Sequence, residues 1–189
     1  MARKNRRDVI DESVVGAYHI WTRCARRAFL AGLDLVTGLD FSHRKDWITL
    51  RLEELAKIFA VECCDDAVMD NHLHLILRNR PDKAQEWSAE EVARRWLRLN
   101  RSALDLDPEP TKQTIDALVS DKKRIAELRQ RLSSISWFVG SLKQPISVLA
   151  NVEDQVAGSF WKGPPLCTPV LRWMKWKDAR VETSRDLVC

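Results

Sequence analysis

The sequence contains a single tyrosine and no long hydrophobic run, and each shortage excludes a class of protein. Tyr18 is the only phenol among 189 residues, so any chemistry that needs a tyrosine nucleophile depends on this position. No stretch of about 18 apolar residues occurs, which excludes an ordinary membrane-spanning helix. The basic start, MARKNRRDVIDES, lacks the apolar segment of a secretory signal. We therefore expect a cytoplasmic protein.

The cysteines also lack a pattern that would give them a structural role. Cys24, Cys63, Cys64, Cys167 and Cys189 are odd in number and contain no CxxC pair. A disulfide framework needs an even set, and a zinc knuckle needs closely spaced pairs. We therefore expect free thiols.

The composition fits one domain with enough apolar residues for a core. Hydrophobic residues make up 45% of the chain, and the formal net charge of +4 is compatible with a nucleic-acid partner without establishing one. We predict a single domain over residues 1–163. Its sheet and first helices span about 16–100, its helical part spans about 111–157, and an irregular tail follows over 164–189.

The first elements are predicted in the order strand, helix, strand, strand. GAYHIWTRC (16–24) is rich in β-branched and aromatic residues, and alternation places His19, Trp21 and Arg23 on one face of a strand. Ser42 can cap a helix in which apolar residues recur at helical spacing as far as Phe59. Residues 60–69 are again of strand type, and the dipeptide at 70–71 is a turn into the next strand.

The second half of the chain is predicted to be helical. A capping box, Ser88 with Glu91, begins a helix over 88–100, and a loop with two prolines follows over 101–110. Beyond Thr111 an apolar seam recurs at steps of three and four. The seam comprises Ile125, Leu128, Leu132, Ile135, Val139, Leu142, Ile146 and Leu149. We expect two or three helices, with Pro145 ending one or standing in the first turn of the next.

Two histidines stand one residue apart in the stretch VMDNHLHLIL (68–77). If this stretch is a strand, its leucines share one face and His72 and His74 share the other. The leucines then face the core, and the imidazoles lie about 7 Å apart along the backbone, from two residues of strand rise. That spacing allows both to bind one ion. This pattern alone is compatible with two histidines that are packed in the protein and also with two histidines that bind a metal.

The same stretch resembles the signature of the IS200-like transposases, including the REP-associated tyrosine transposases. In that family an HUH motif, two histidines flanking a hydrophobic residue, follows Met-x-Asn on a central strand; here these positions are Met69, Asn71, His72 and His74. GAYHIWTRCARRAFL, FSHRKDWITLRLEELAKIFAVECCDDAVM, WSAEEVARRWLRL and SISWFVGSLKQPISVLANVEDQVAGSFWKG are similar to further family blocks in the same order. The resemblance covers roughly residues 16–163.

The resemblance implies a ferredoxin-like α+β fold of the HUH endonuclease type, in which helices pack against an antiparallel sheet. It implies a homodimer that acts on single-stranded or hairpin DNA in transposition, with no nucleotide cofactor. Two neutral imidazoles, with a third polar ligand, would hold Mg²⁺ or Mn²⁺ against the scissile phosphate. Nitrogen ligands favour Mn²⁺. A tyrosine on a late helix would then form a 5′-phosphotyrosine link.

The chain departs from the family at that tyrosine. The positions where many relatives carry it are Ile146 and Leu149, which we interpret as core residues of the seam. Tyr18 is a weak candidate because it belongs to the first strand, and Ser141 and Ser147 have no evident base. A truncated or degenerate copy explains this loss and the unfamiliar tail. The enzymatic activity therefore stays open, and an inactive DNA-binding or repressor remnant is the alternative function.

The remaining site candidates concern the third metal ligand and the DNA. Asn151, Glu153 and Asp154 lie near the expected ligand position, although each is also typical of a solvated or capping residue. Candidate phosphate contacts are Arg23, Arg26, Arg27, Lys122 and Lys123. Candidate stacking residues are Trp21, Trp137 and Trp161, for which burial in the core is the alternative.

Overall fold

The computed structural model describes residues 9–25, 29–99 and 110–170. Four strands lie within these ranges: β1 (Gly16–Arg23), β2 (Val61–Val68), β3 (His72–Asn79) and β4 (Leu166–Pro169). Helix α1 (Arg44–Ile58) connects β1 to β2. Five helices lie between β3 and β4: α2 (Pro81–Glu86), α3 (Ala89–Leu99), α4 (Lys112–Val119), α5 (Lys122–Ser133) and α6 (Ile135–Glu153). None of the described helices is long and apolar enough to cross a membrane.

The strands form one antiparallel sheet in the order β2-β3-β1-β4. This is the strand order of a ferredoxin-like β-α-β-β-α-β arrangement, with a group of helices in place of the second single helix. The predicted α+β class and antiparallel sheet are therefore confirmed. Residues 166–169, which we expected to begin an irregular tail, instead form β4 and pair with β1. The rest of that tail, 171–189, lies outside the described residues.

The two faces of the sheet differ in burial, as alternation predicts. Leu73, Leu75 and Leu77 are at most 2% exposed and join one core cluster with residues of α1, α5 and α6. The intervening residues of β3, His72, His74, Ile76 and Arg78, are only half-buried. The helices thus cover the leucine face, and the histidine face stays partly open to solvent.

The long apolar seam contains one helix break, and it lies at Ser134 rather than at Pro145. The Ser134 side chain caps α6 by accepting a hydrogen bond from the Trp137 amide. Pro145 lies inside α6, so the expectation that it ends or begins a helix is wrong. Proline leaves the carbonyl four residues earlier without its usual donor. Arg51 Nε supplies one, lying 3.2 Å from the Ser141 carbonyl oxygen.

Helix starts elsewhere agree only in part with the sequence. Ser88 Oγ accepts a hydrogen bond from the Glu91 amide at 3.1 Å, as the capping box predicts. The expected cap at Ser42 is wrong: the N-cap of α1 is His43, and the Ser42 hydroxyl donates to Asp40 at 2.6 Å. Helix α2, which begins with Pro81, was not predicted because six residues are too few for a clear period.

The four described cysteines, Cys24, Cys63, Cys64 and Cys167, form no disulfide bonds with one another. Burial raises the pKa of Cys24 to about 12, so this thiol stays protonated at pH 8.

Iodoacetamide at pH 8 should leave Cys24 unmodified in the native protein and alkylate it in the unfolded chain. Peptide mass spectrometry measures both. Alkylation of Cys24 at equal rates in the two states would contradict its burial.

Candidate metal and nucleic-acid site

Three imidazoles lie together on the open face of the sheet. The register of β1 against β3 pairs Trp21 with His74 and Arg23 with His72. His19 Nε2 lies 2.8 Å from His74 Nδ1, and the two rings stack with centroids 5.1 Å apart. The His72 and His74 rings meet edge to face at 5.0 Å. His74 is therefore the centre of a row formed by His19, His74 and His72.

The hydrogen bonds of His72 favour a metal-binding tautomer. Its Nδ1 lies 2.8 Å from the amide oxygen of Asn71, and such an oxygen only accepts. In the neutral form of His72 this contact places the proton on Nδ1, which leaves the lone pair on Nε2. A metal-binding histidine usually donates its other ring N–H to such a partner.

His74 can adopt the same arrangement, with His19 in the place of an oxygen acceptor. When His74 Nδ1 donates to His19 Nε2, the Nε2 of His74 is the unprotonated nitrogen. Burial lowers the pKa of His74, and the neighbouring His19 and His72 lower it further. The neutral imidazole that a metal needs is therefore favoured at neutral pH. The donor chemistry of His72 and His74 fits a divalent metal with two nitrogen ligands.

The structure does not gather the predicted carboxylate ligands with this pair. Within the described ranges, no group of three or more histidine, cysteine, aspartate or glutamate side chains is arranged to hold a metal. Glu153 and Asp154 both pair with Arg44, and Glu153 also lies 2.7 Å from His43. The Asn151 amide donates to the Gly158 carbonyl at 2.8 Å. The third-ligand candidates thus all have structural partners around the end of α6.

Arg44 explains why these carboxylates lie where they do. Its side chain is fully buried, its Nη1 donates to the Phe29 carbonyl at 2.7 Å, and its guanidinium lies 4.2 Å from the centre of the Phe41 ring. Its Nε donates to Glu153 at 2.7 Å. Arg44 therefore joins the segment that follows β1 to the C-terminal end of α6.

The only tyrosine lies on the wrong face for attack on a phosphate held by the histidines. Tyr18 precedes His19 on β1, so its side chain lies on the opposite, core face, where it is 5% exposed. Its hydroxyl lies 3.2 Å from the Asp11 amide, and burial raises the pKa of the phenol. Both features oppose nucleophilic attack by Tyr18.

The family tyrosine positions have different surroundings. Ile146 is 2% exposed, as its interpretation as a core residue predicts, but Leu149 is 47% exposed, so that interpretation is wrong for Leu149. The buried row of α6 steps by four residues from Ile146 to Ala150, which turns Leu149 outward. Ser147 donates its hydroxyl to the Gln144 carbonyl at 2.7 Å, a local helix contact.

The predicted DNA contacts divide between the two sides of the sheet. Arg23 is exposed at the end of β1, opposite His72. Lys122 and Lys123 are exposed at the start of α5, which packs against the other helices. Arg26 and Arg27 lie outside the described residues. Of the three described candidates, only Arg23 lies beside the histidines.

The three candidate stacking tryptophans have three different environments. Trp21 is half-buried on the open face, with its ring centre 6.4 Å from that of His74. Trp161 is 7% exposed and donates to the Lys143 carbonyl at 3.0 Å, so it is a core residue. Trp137 is 40% exposed on α6. Trp21 alone joins the histidine row.

His19 is the site residue that sequence reasoning missed. Alternation had already placed it on the same face as Trp21 and Arg23. Its contact with His74 depends on the pairing of β1 with β3, which joins positions 55 residues apart. A search for histidines on the open faces of all predicted strands would have found it.

Comparisons with known proteins leave the family unassigned. No protein-family model and no curated protein matches the sequence. Among solved structures, a REP-associated tyrosine transposase bound to a REP hairpin aligns over 92% of this chain and 70% of its own, with 8% identity and a TM-score of 0.43. Likeness at this level establishes neither the family nor the function.

Proposed function

We propose that this protein is a transposase-like DNA-binding protein that holds single-stranded DNA, including strands beside hairpins, on the open face of its sheet. The row of His19, His74 and His72 beside Trp21 and Arg23 is the observation that carries the proposal. An aromatic ring on an exposed antiparallel sheet offers a stacking surface for a base, and an arginine beside it attracts phosphate.

A divalent metal is the second part of the proposal. His72 and His74 would hold Mn²⁺ or Mg²⁺, and the nitrogen ligands favour Mn²⁺. When bound, the metal would polarise a phosphate group of the DNA. His72 and His74 are the two ligands that the described residues supply. The other coordination positions of the metal are then available to water and DNA phosphate. Metal and DNA should then each raise the affinity for the other, because coupling between two ligands is reciprocal.

The position of Tyr18 favours DNA binding without a phosphotyrosine link. The phenol is buried on the core face, and the chain contains no other tyrosine. A labelled hairpin with a single-stranded flank, incubated with the protein and Mn²⁺, should therefore be bound without forming a covalent adduct that survives denaturing gel electrophoresis. A stable adduct that disappears in Tyr18→Phe would overturn this part of the proposal.

Replacing Trp21 tests the stacking surface. Trp21→Leu should weaken binding of a single-stranded hairpin flank at least about fivefold, since stacking on an aromatic residue contributes about 1–3 kcal/mol per base. Trp87→Leu is the matched control, because Trp87 lies on the helical side, where Arg95 packs over its ring at 4.2 Å. Fluorescence anisotropy of the labelled DNA measures both affinities. Equal losses in the two variants would argue against the open face.

A homodimer is also part of this proposal. The last turns of α6 carry exposed aliphatic side chains that a second copy would cover: Val148, Leu149 and Val152 are 55%, 47% and 73% exposed. Contiguous apolar surface of this kind is typical of protein interfaces. Sedimentation equilibrium measures the oligomeric state directly.

A further inference from the structure

A cleft of about 310 Å³ lies among the helices, separate from the histidine face. Its lining includes Arg51 of α1, Leu99 of α3, and Trp137, Gly140 and Gln144 of α6. The α6 residues recur at three- and four-residue steps, so they share one face of the helix. The volume is at the lower end of the range of about 300–1,000 Å³ for ligand pockets, which suits a small planar group.

Trp137 is held in place and yet remains exposed to this cleft. Its ring meets Trp96 edge to face at 5.6 Å, and the Arg131 guanidinium lies over it at 4.5 Å. Two neighbours therefore fix the indole, but 40% of the residue stays accessible. An ordered, partly exposed tryptophan is a preformed stacking surface, because little side-chain entropy is lost when a ligand binds to it.

Gly140 borders the cleft on α6, and packing does not require glycine there. Outside its own stretch of helix, a Cβ atom at Gly140 would meet nothing within 4 Å. Alanine would therefore leave the cleft open, whereas a longer side chain at this position would extend toward Trp137, one turn earlier on the same face.

The polar groups around the indole suit an anionic aromatic ligand. Gln144 and Ser136 line the cleft with groups that both donate and accept hydrogen bonds. Three arginines lie in or near the cleft. Arg51 is part of the lining, Arg124 lies over the Trp96 ring, and Arg131 lies over the Trp137 ring. Two glutamates, Glu54 and Glu127, pair with these arginines. Among these five described side chains the balance is one positive charge.

We propose that this cleft binds a nucleotide, with the base stacked on Trp137, the edge of the base hydrogen-bonded by Gln144, and the phosphate attracted by Arg51. A free nucleotide and a nucleotide within single-stranded DNA present the same chemistry. The site does not depend on DNA binding by the open face of the sheet.

Isothermal titration with adenosine 5′-monophosphate, inorganic phosphate and a short single-stranded oligoadenylate tests the proposal. The monophosphate should bind the wild type, and Trp137→Ala should weaken that binding at least about fivefold. Gly140→Leu should weaken it as strongly by filling the cleft. The matched control, Gly140→Ala, should leave binding unchanged. Thermal melting checks that each variant is folded.

Two further comparisons distinguish a free nucleotide from a nucleotide within DNA, and the cleft from the open face of the sheet. Oligoadenylate titrations use the Trp21→Ala/His74→Ala background, so that any remaining binding belongs to the cleft. Oligonucleotide binding that Gly140→Leu removes, without binding of the monophosphate, would assign the cleft to a DNA strand. Monophosphate binding unchanged in the background variant would separate the cleft from the open face. Phosphate binding as tight as the monophosphate, indifference to Trp137→Ala, or no binding of either nucleotide would overturn the proposal.

Discussion

The Arg44→Met variant should lose about 3 kcal/mol of unfolding free energy, the lower end of the cost of breaking a buried ion pair. Methionine matches the volume of the side chain but leaves Glu153 and Asp154 without their cation and the Phe29 carbonyl without its donor. The lower end of the range applies because the two carboxylates keep 34% and 19% side-chain exposure and regain some hydration.

Chemical denaturation monitored by circular dichroism measures this loss. Arg124→Met is the matched control, because Arg124 forms a surface pair with Glu127 at 2.7 Å, and such pairs contribute about 0–1 kcal/mol. The Arg44 account predicts a clear difference between the two variants. Equal and small losses would show that Arg44 is not the link between the segment after β1 and the end of α6.

The largest functional effect should come from the histidine row. His72→Ala and His74→Ala should each abolish the increase in hairpin affinity that Mn²⁺ produces, because each removes one of the two proposed metal ligands. His19→Ala should weaken Mn²⁺ binding by about 10- to 100-fold, the usual cost of losing the hydrogen-bond partner of a metal-binding histidine. Titration of Mn²⁺ at constant DNA concentration, followed by anisotropy, measures all three.

His43→Ala is the matched control for this series. The His43 side chain is 44% exposed at the start of α1 and lies 2.7 Å from Glu153. It is an imidazole like those of the histidine row, but it does not lie on the open face of the sheet. Its substitution should leave the Mn²⁺ dependence unchanged. If His72→Ala kept the Mn²⁺ dependence of hairpin affinity, the proposed metal site would be wrong. DNA binding by the sheet would then not involve a metal at this position.

Local patterns predicted the parts of the site that lie on one strand. The two-residue period of β3 placed Leu73 and Leu75 in the core and His72 and His74 on the open face, and the structure shows the same division. The order strand, helix, strand, strand was also predicted from the sequence. Apolar residues recur at helical spacing in α1, and a turn-forming dipeptide joins the two strands of the hairpin. These features depend on neighbours within a few residues.

The features that were missed depend on contacts between distant parts of the chain. His19 joins the row only through the register of β1 with β3, and Pro145 is tolerated inside α6 because Arg51 on another helix supplies a donor. Glu153 pairs with Arg44 across 109 residues, which no local period indicates. Leu149 faces outward because the buried row of α6 passes through Ala150, one residue further on.

Ultraviolet cross-linking of a hairpin with a single-stranded, iodouracil-labelled flank, followed by peptide mass spectrometry, identifies the surface that holds the DNA. We expect adducts on peptides from Gly16–Arg23 and His72–Asn79, the two strands that carry the histidine row. The Trp21→Leu variant should lose the adduct on the first of these peptides. Tight DNA binding with adducts confined to the helices, and none on β1 or β3, would exclude the open face of the sheet as the binding surface.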